Sequence, residues 1–214
     1  QDDPNSSNPK DRIFVDSTIA SGINIPNVYK DIGAAADFNN DGKPDILLPG
    51  FTDGNAEYYV PTIILWNTSS GGTLSFTQSQ IGAYPTLAHG ACIADINGDG
   101  YMDFMAAGFN GTNNQFGSTV NTMGGVFINN KDRTFTLNTT MNTAITNTYF
   151  SSCAVTKNGS NINIALGNNN IHQGNIYTFN SSTLAYVGVQ PIPVTANNTN
   201  NSAIDALAVD VNLD

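Results

Sequence analysis

The chain has 214 residues, of which 40% are hydrophobic and 11% are charged, and its formal net charge at pH 7 is −10. This length is enough to bury a sizeable core, and no apolar run approaches the roughly 18 residues that a membrane-spanning helix needs. The acidic balance argues against nucleic-acid binding. The sequence therefore predicts a soluble protein without membrane insertion and without a nucleic-acid partner.

The N-terminal part of the chain lacks the basic and then apolar profile of a signal peptide. Either the protein is not exported or the sequence is a mature form, and the motifs described below favour the mature form. Residues 12–18 resemble the last strand of the four-stranded units described below, and they lie ahead of the first unit, which predicts a strand. In a closed ring of repeats, this strand would complete the last repeat.

One nine-residue motif occurs twice and begins a third time. Residues 37–45 read Asp-Phe-Asn-Asn-Asp-Gly-Lys-Pro-Asp, residues 95–103 read Asp-Ile-Asn-Gly-Asp-Gly-Tyr-Met-Asp, and residues 210–214 read Asp-Val-Asn-Leu-Asp. Side-chain oxygens at positions 1, 3, 5 and 9 and a carbonyl near position 7 can surround one hard cation, while glycine at position 6 permits a sharp turn. The motif predicts Ca²⁺, since Mg²⁺ prefers a more rigid shell.

The predicted calcium ligands are carboxylate, amide and main-chain oxygens. They are Asp37, Asn39, Asp41, Asp45 and the Lys43 carbonyl in the first loop; Asp95, Asn97, Asp99, Asp103 and the Tyr101 carbonyl in the second; and Asp210, Asn212 and Asp214 in the partial third. An EF-hand is excluded because its position 12 requires glutamate, and here that position is Leu48 or Ala106. We expect calcium to clamp strands together, because crowded carboxylates repel one another without a cation.

The loops belong to a longer repeat of four strands. Predicted strands of the first unit are 33–36, 46–50, 62–67 and 74–81, and those of the second are 91–94, 104–108, 125–129 and 134–138. A third unit has strands at 152–155, 163–167, 176–180 and 184–188, and residues 156–160 replace its loop without acids. Residues 206–209 begin a fourth unit. The periodicity is β throughout, and no helix is predicted.

The repeat length predicts a β-propeller. The loops start at residues 37, 95, 156 and 210, which are 58, 61 and 54 residues apart and suit a four-stranded blade. The predicted fold class is all-β, with about three complete blades plus single strands of incomplete blades, as part of a larger ring or assembly. The predicted segments are 1–31, an N-terminal segment; 32–88, 89–149 and 150–203, three blades; and 204–214, the first strand and half loop of a fourth blade.

The loops and their flanking strands resemble the FG-GAP or VCBS repeats of integrin α-chain propellers, of related secreted proteins and of some fungal lectins. Residues 14–22 are similar to the segment that commonly precedes such repeats. The resemblance implies a propeller, usually of seven blades, with calcium between the first and second strands of a blade. It also implies a role in adhesion, carbohydrate binding or scaffolding. Seven such units need roughly 400 residues, so we expect the chain to form about half of a ring.

Cysteine and asparagine positions indicate an extracellular protein. Cys92 and Cys153 occupy the same place in adjacent units, so we favour a disulfide, with two buried free thiols as the alternative. Eight Asn-X-Ser/Thr triplets are candidate glycosylation sites. They begin at Asn5, Asn67, Asn110, Asn138, Asn158, Asn180, Asn197 and Asn200.

No motif supports catalysis. The two histidines, His89 and His172, lie in different units, and neither a Gly-X-Ser-X-Gly motif nor a phosphate loop occurs. Several aromatic residues are candidates for stacking on sugars, although the core between blades is the alternative. They are Tyr58, Tyr59, Phe109, Phe116, Tyr149 and Tyr177. We predict that the protein is not an enzyme.

The expected function is that of a secreted, calcium-stabilised recognition or adhesion module that binds a glycan or an extracellular protein. The alternative is a structural subunit of a glycoprotein filament or oligomer. Its chains would self-assemble by pairing residues 12–18 of one chain with residues 203–209 of the next. A polysaccharide-active enzyme scaffold remains only by family analogy.

Overall fold

The computed structural model describes residues 16–25, 33–50, 61–85, 88–112, 121–145, 150–168 and 174–192. Within these ranges the fold is all-β, with three four-stranded antiparallel sheets and one short helix. Strands that are neighbours in sequence are neighbours in each sheet, so each sheet is a meander. The predicted all-β class is confirmed, and the arrangement in four-stranded units is observed three times. Closure into a propeller stays a prediction.

Sheet 1 contains β1 (Ala34–Ala36), β2 (Asp45–Leu48), β3 (Pro61–Asn67) and β4 (Phe76–Pro85). Sheet 2 contains β5 (Ala88–Ala94), β6 (Asp103–Thr112), β7 (Asn121–Asn129) and β8 (Phe135–Leu137), and the helix α1 (Thr139–Ala144) follows it. Sheet 3 contains β9 (Phe150–Asn158), β10 (Asn161–Asn168), β11 (Asn175–Asn180) and β12 (Tyr186–Pro191).

Sheet 2 is buried on both faces, and this explains why the sequence of β6 is continuously apolar at residues 104–107. Phe104 and Ala106 belong to the apolar cluster shared with sheet 1, whereas Met105 and Ala107 belong to the cluster shared with sheet 3. All four are at most 1% exposed. Since side chains alternate between the faces of a strand, an apolar run is needed where both faces meet another sheet.

The first strands of the sheets lie side by side. β5 contacts both β1 and β9, and the outer strand β4 packs against β7 and β8 of sheet 2. A disulfide between Cys92 of β5 and Cys153 of β9 joins sheets 2 and 3, with the two Cα atoms 5.6 Å apart. The covalent link therefore crosses an interface between sheets at the strands nearest one another.

The helix α1 corrects the prediction that the chain has no helix. The side chain of Asn138 caps it by accepting a hydrogen bond from the backbone N–H of Met141 at 3.0 Å. Met141 is fully buried in the cluster between sheets 2 and 3. Six residues are too short for a periodic pattern to be recognised, so the capping residue and the burial of one methionine define this helix.

Replacing the capping residue is expected to cost about 1 kcal/mol of unfolding free energy. Asn138→Ala removes the acceptor of the Met141 N–H. Because the substitution also removes an Asn-X-Thr triplet, the matched control is Thr140→Ala, which removes the triplet and leaves the cap. Denaturant unfolding of unglycosylated protein should show a loss for the first variant alone. Equal stability of the two variants would contradict the capping role.

The segment before sheet 1 also differs from the prediction. Residues 12–15 of the predicted strand lie outside the described residues, and residues 16–18 are not in a strand. The chain instead makes a turn at 18–22, and the carbonyl of Ser21 accepts a hydrogen bond from the backbone N–H of Phe76 at 2.8 Å. Gly22 has φ +83°, and a Cβ there would lie 2.8 Å from the Phe76 carbonyl oxygen, so glycine is required for this contact.

Candidate metal centre

Both complete loops connect the first strand of a sheet to the second. Loop 1 (residues 37–45) lies between β1 and β2, and loop 2 (residues 95–103) lies between β5 and β6, with its last residue opening the second strand in each case. Gly42 and Gly100, at position 6, have φ of +82° and +86°. This left-handed backbone confirms the turn predicted for the glycine. Position 4 is also left-handed, with φ of 57° at Asn40 and 75° at Gly98.

The side chains at positions 1, 3 and 5 fold over the turn and accept its backbone N–H groups. In loop 2, the Asp99 N–H donates to Asp95 Oδ1 at 2.9 Å and to Asn97 Oδ1 at 3.0 Å. The N–H of Gly100 donates to Asp95 Oδ2, and that of Tyr101 donates to Asp99 Oδ1, both at 2.9 Å. Loop 1 makes the same four bonds, which indicates that both loops are built to one plan.

The aspartate at position 9 ties its loop to the third strand of the sheet. Asp45 accepts the N–H of Phe38 at 3.0 Å on one oxygen and that of Asn67, at the end of β3, at 2.8 Å on the other. Asp103 likewise accepts the N–H of Ile96 at 2.9 Å and that of Asn129, at the end of β7, at 2.8 Å. Both aspartates are 0% exposed. They therefore have a scaffolding role in addition to the predicted role as ligands.

The asparagine that ends the third strand was not predicted as a functional residue. The side-chain nitrogen of Asn67 donates to the Pro44 carbonyl at 3.0 Å, and that of Asn129 donates to the equivalent Met102 carbonyl at 3.0 Å. Asn129 also donates to the carbonyl of Phe38 in loop 1 at 2.8 Å. In the sequence, the signal for this role is that an asparagine ends the third strand in both units.

The two loops are consequently connected to each other. Asn129 bridges the second residue of loop 1 and the eighth residue of loop 2. A second link runs from the side-chain nitrogen of Asn40 to the carbonyl of Gly100, at 3.0 Å. Sheets 1 and 2 therefore meet through their loops as well as through their apolar faces.

Asn129→Ala is expected to lower the free energy of unfolding by about 2 to 3 kcal/mol, because it leaves the buried Phe38 carbonyl and the partly buried Met102 carbonyl without this donor. Asn67→Ala is the matched control, since it removes the equivalent bonds within sheet 1 but no bond between sheets. Unfolding in EDTA should show a cost about 1 kcal/mol larger for Asn129→Ala. Equal costs would mean that the contact with Phe38 contributes nothing to stability.

Burial and hydrogen bonding shift the pKa values of the loop carboxyls in opposite directions. Burial raises the pKa of Asp103 to about 6, although hydrogen bonds from Asn129, Ile96 and Asn97 oppose this. Burial also raises the pKa of Asp45. Burial likewise tends to raise the pKa of Asp99, but hydrogen bonds from Tyr101, Asn97 and Lys131 outweigh it, so that this pKa is lowered.

The donor chemistry of the loops fits a hard cation. Each complete loop supplies carboxylates at positions 1, 5 and 9, an amide oxygen at position 3 and main-chain carbonyls, which are the ligands that Ca²⁺ prefers. A carboxylate that accepts two N–H groups keeps further lone pairs for a cation. Among the described residues, however, no three His, Cys, Asp or Glu side chains are gathered around one point. The calcium assignment stays a prediction.

A family comparison bears directly on these loops. The matching region starts at the first aspartate of loop 1 and ends within β6, so it includes both complete loops. Residues 37–106 match the family model of an FG-GAP-like repeat. The predicted family is confirmed for this part of the chain, and the match covers β2 to β4 of sheet 1, then β5 and the start of β6 in sheet 2. A search of curated proteins found no significant match to the chain.

The third unit departs from the FG-GAP-like repeat, as its missing acids predict. β9 and β10 are joined by Gly159 and Ser160 alone, and Gly159 has φ +57°. A hairpin turn thus stands where the other two units have a nine-residue loop. The partial third loop, with Asp210, Asn212 and Asp214, lies outside the described residues.

The predicted glycosylation sites fall in different surroundings. Asn158 is exposed beside the β9–β10 turn, whereas Asn67, Asn138 and Asn180 are partly buried and their side chains accept or donate hydrogen bonds. Asn5, Asn197 and Asn200 lie outside the described residues, as does the side chain of Asn110. Glycosylation stays a prediction at each of these positions.

Of the aromatic residues predicted as sugar-stacking candidates, only Tyr177 has a described side chain. It is 3% exposed and packs edge-to-face on Phe150, with ring centroids 6.5 Å apart, so it is a core residue. The side chains of Tyr58, Tyr59, Phe109, Phe116 and Tyr149 lie outside the described part. Among the described residues no helix is long and apolar enough to cross a membrane.

Proposed function

We propose that the chain is part of a secreted β-propeller that calcium stabilises and that acts as a non-enzymatic recognition module for a glycan or an extracellular protein. The observation that carries this proposal is the repetition of one loop plan in adjacent sheets. The same side chains accept the same N–H groups in loops 1 and 2. Such a plan suits a structural clamp, in which a cation replaces repulsion between carboxylates by attraction.

The arrangement of the sheets supports a propeller. Three four-stranded meanders stand in a row, and their first strands are neighbours while apolar faces pack between them. In a propeller, blades follow one another around a central axis in this manner. The disulfide between the first strands of sheets 2 and 3 supports a secreted protein, because disulfides persist in oxidising compartments.

The surface we assign to ligand contact lies beside loop 1. An open groove of about 440 Å³ runs between that loop and the β3–β4 turn. Its walls combine apolar surface with hydroxyl, amide and main-chain groups, which can pack against a sugar ring and exchange hydrogen bonds with its hydroxyl groups. They belong to Gly42, Lys43, Pro44, Asn67, Ser69, Ser70, Gly71, Gly72, Thr73 and Leu74.

A glycan array probed with unglycosylated protein in calcium and in EDTA tests this proposal. We expect binding to a subset of glycans in calcium and its loss in EDTA. Thr73→Trp, which fills the groove, should abolish binding, whereas Thr136→Trp on the exposed face of β8 should not. An array without any calcium-dependent binding would contradict glycan recognition. The proposed ligand would then be an extracellular protein.

The filament alternative has no specific support in the described part of the chain. The sheet edges that it pairs, at residues 12–18 and 203–209, lie almost entirely outside the described residues, and residues 16–18 are not in a strand. Negative-stain microscopy of the purified protein distinguishes fibres from single particles.

A further inference from the structure

The turn after the third strand places different residues beside the two loops. In both sheets the asparagine that ends this strand accepts, on Oδ1, the N–H of the residue two positions later. That residue is Ser69 in sheet 1, at 3.0 Å, and Lys131 in sheet 2, at 2.8 Å. The two positions are thus equivalent in structure. One carries a short hydroxyl and the other carries a long side chain with a positive charge.

Lys131 directs its charge at a predicted calcium ligand. Its amine lies 3.2 Å from Asp99 Oδ2 and 5.1 Å from the centre of the Tyr101 ring. Asp99 is position 5 of loop 2 and Tyr101 is position 7. The equivalent carboxylate in loop 1 is Asp41. Both carboxylates accept the side-chain nitrogen of the asparagine at position 3, since Asn39 donates to Asp41 at 3.3 Å and Asn97 donates to Asp99 at 3.0 Å. Within the described ranges, no ion pair joins a lysine or arginine to loop 1.

We propose that Lys131 is a built-in competitor for calcium at loop 2, so that the two loops bind calcium with unequal affinity and loop 1 fills first. This inference rests on the proposed calcium function. A cation at loop 2 needs the Asp99 oxygen with which the amine is paired, and a divalent ion repels the amine at short range. The amine already lies over the Tyr101 ring, and it can keep this contact when it loses the Asp99 oxygen.

Electrostatics set the size and the salt dependence of the effect. A single positive charge about 5 Å from a divalent ion in water weakens its binding roughly tenfold. Salt screens an exposed pair, and the Lys131 side chain is 46% exposed, so the difference should shrink at high ionic strength. Lys157 of sheet 3 is a second lysine near loop 2, since a Cβ on Gly98 would lie 3.1 Å from its amine. No ion pair joins it to a predicted ligand within the described residues, which makes it a control for net charge.

Titration of the ¹⁵N-labelled full chain with CaCl₂ tests the inference, because the amides of Gly42 and Gly100 report on the two loops separately. In the natural protein, Gly42 should saturate at a calcium concentration roughly tenfold lower than Gly100. Lys131→Gln should lower the Gly100 midpoint by about that factor and leave the Gly42 midpoint in place. Lys157→Gln should have a much smaller effect. Ser69→Lys, the reciprocal change, should raise the Gly42 midpoint.

Three outcomes would overturn the inference. Equal midpoints for Gly42 and Gly100 in the natural protein would contradict the predicted difference in calcium affinity between the two loops. An unchanged Gly100 midpoint in Lys131→Gln would show that the amine does not compete. Equal effects of Lys131→Gln and Lys157→Gln would show that net charge, and not the contact between Lys131 and Asp99, weakens calcium binding at loop 2. If neither glycine amide responds to millimolar calcium, the proposed calcium function fails as well, and this result differs from the other three.

Discussion

Removing calcium with EDTA should lower the melting temperature by about 10 to 20 °C. A ligand at 100 times its dissociation constant stabilises the folded state by about 2.7 kcal/mol, so two occupied loops contribute about 5 kcal/mol. For a chain of this size, each kcal/mol shifts the melting temperature by about 2 to 4 °C. The expected shift is large because each loop connects the first two strands of a sheet. Its last aspartate also accepts a hydrogen bond from the end of the third strand. Differential scanning calorimetry in calcium and in EDTA measures the shift.

The control for this experiment is a variant with one carboxylate neutralised in each loop. In Asp41→Asn with Asp99→Asn, Oδ1 can still accept the N–H of Lys43 and of Tyr101, but each loop loses a negative charge. Its melting temperature should hardly respond to calcium. Magnesium should also stabilise the natural protein less than calcium does. An unchanged melting temperature in EDTA would show that calcium has no structural role.

Removing the disulfide should lower the free energy of unfolding by about 4 kcal/mol. Cys92 and Cys153 are 61 residues apart, and the bond reduces the entropy of the unfolded chain accordingly. The variant is Cys92→Ala with Cys153→Ala, and guanidinium unfolding at constant calcium gives the free energy. The loss should appear as a lower transition midpoint.

Chemical reduction provides the control for the disulfide. A phosphine reductant should shift the midpoint of the natural protein towards that of the double variant, and it should not affect the double variant itself. A double variant as stable as the natural protein would mean that packing between β5 and β9 alone holds sheets 2 and 3 together.

The sequence was most informative where chemistry and repetition coincide. Glycine at position 6, carboxylates at fixed spacing and apolar strands on either side predicted the loop, and the same pattern at residues 95–103 indicated a repeating unit. Repetition also predicted that Cys92 and Cys153 share a place in adjacent units. In the structure they lie on adjacent strands and are bonded. These features depend on local sequence, so they can be recognised before the fold is known.

Tertiary contacts account for what the sequence did not predict. The helix α1 depends on the cap at Asn138 and on the burial of Met141 between two sheets, and neither produces a helical period. The bond from Asn129 to Phe38 joins residues 91 positions apart. The turn at 18–22 depends on a contact with Phe76. Each of these requires knowledge of which sheet packs on which.

Native mass spectrometry of the protein in calcium tests the central claim most directly, since it counts bound ions. The natural protein should carry two tightly bound calcium ions, and Asp41→Asn and Asp99→Asn should each remove one. A protein that binds no calcium, or that keeps the same number of ions in both variants, would contradict the assignment of loops 1 and 2 as calcium clamps.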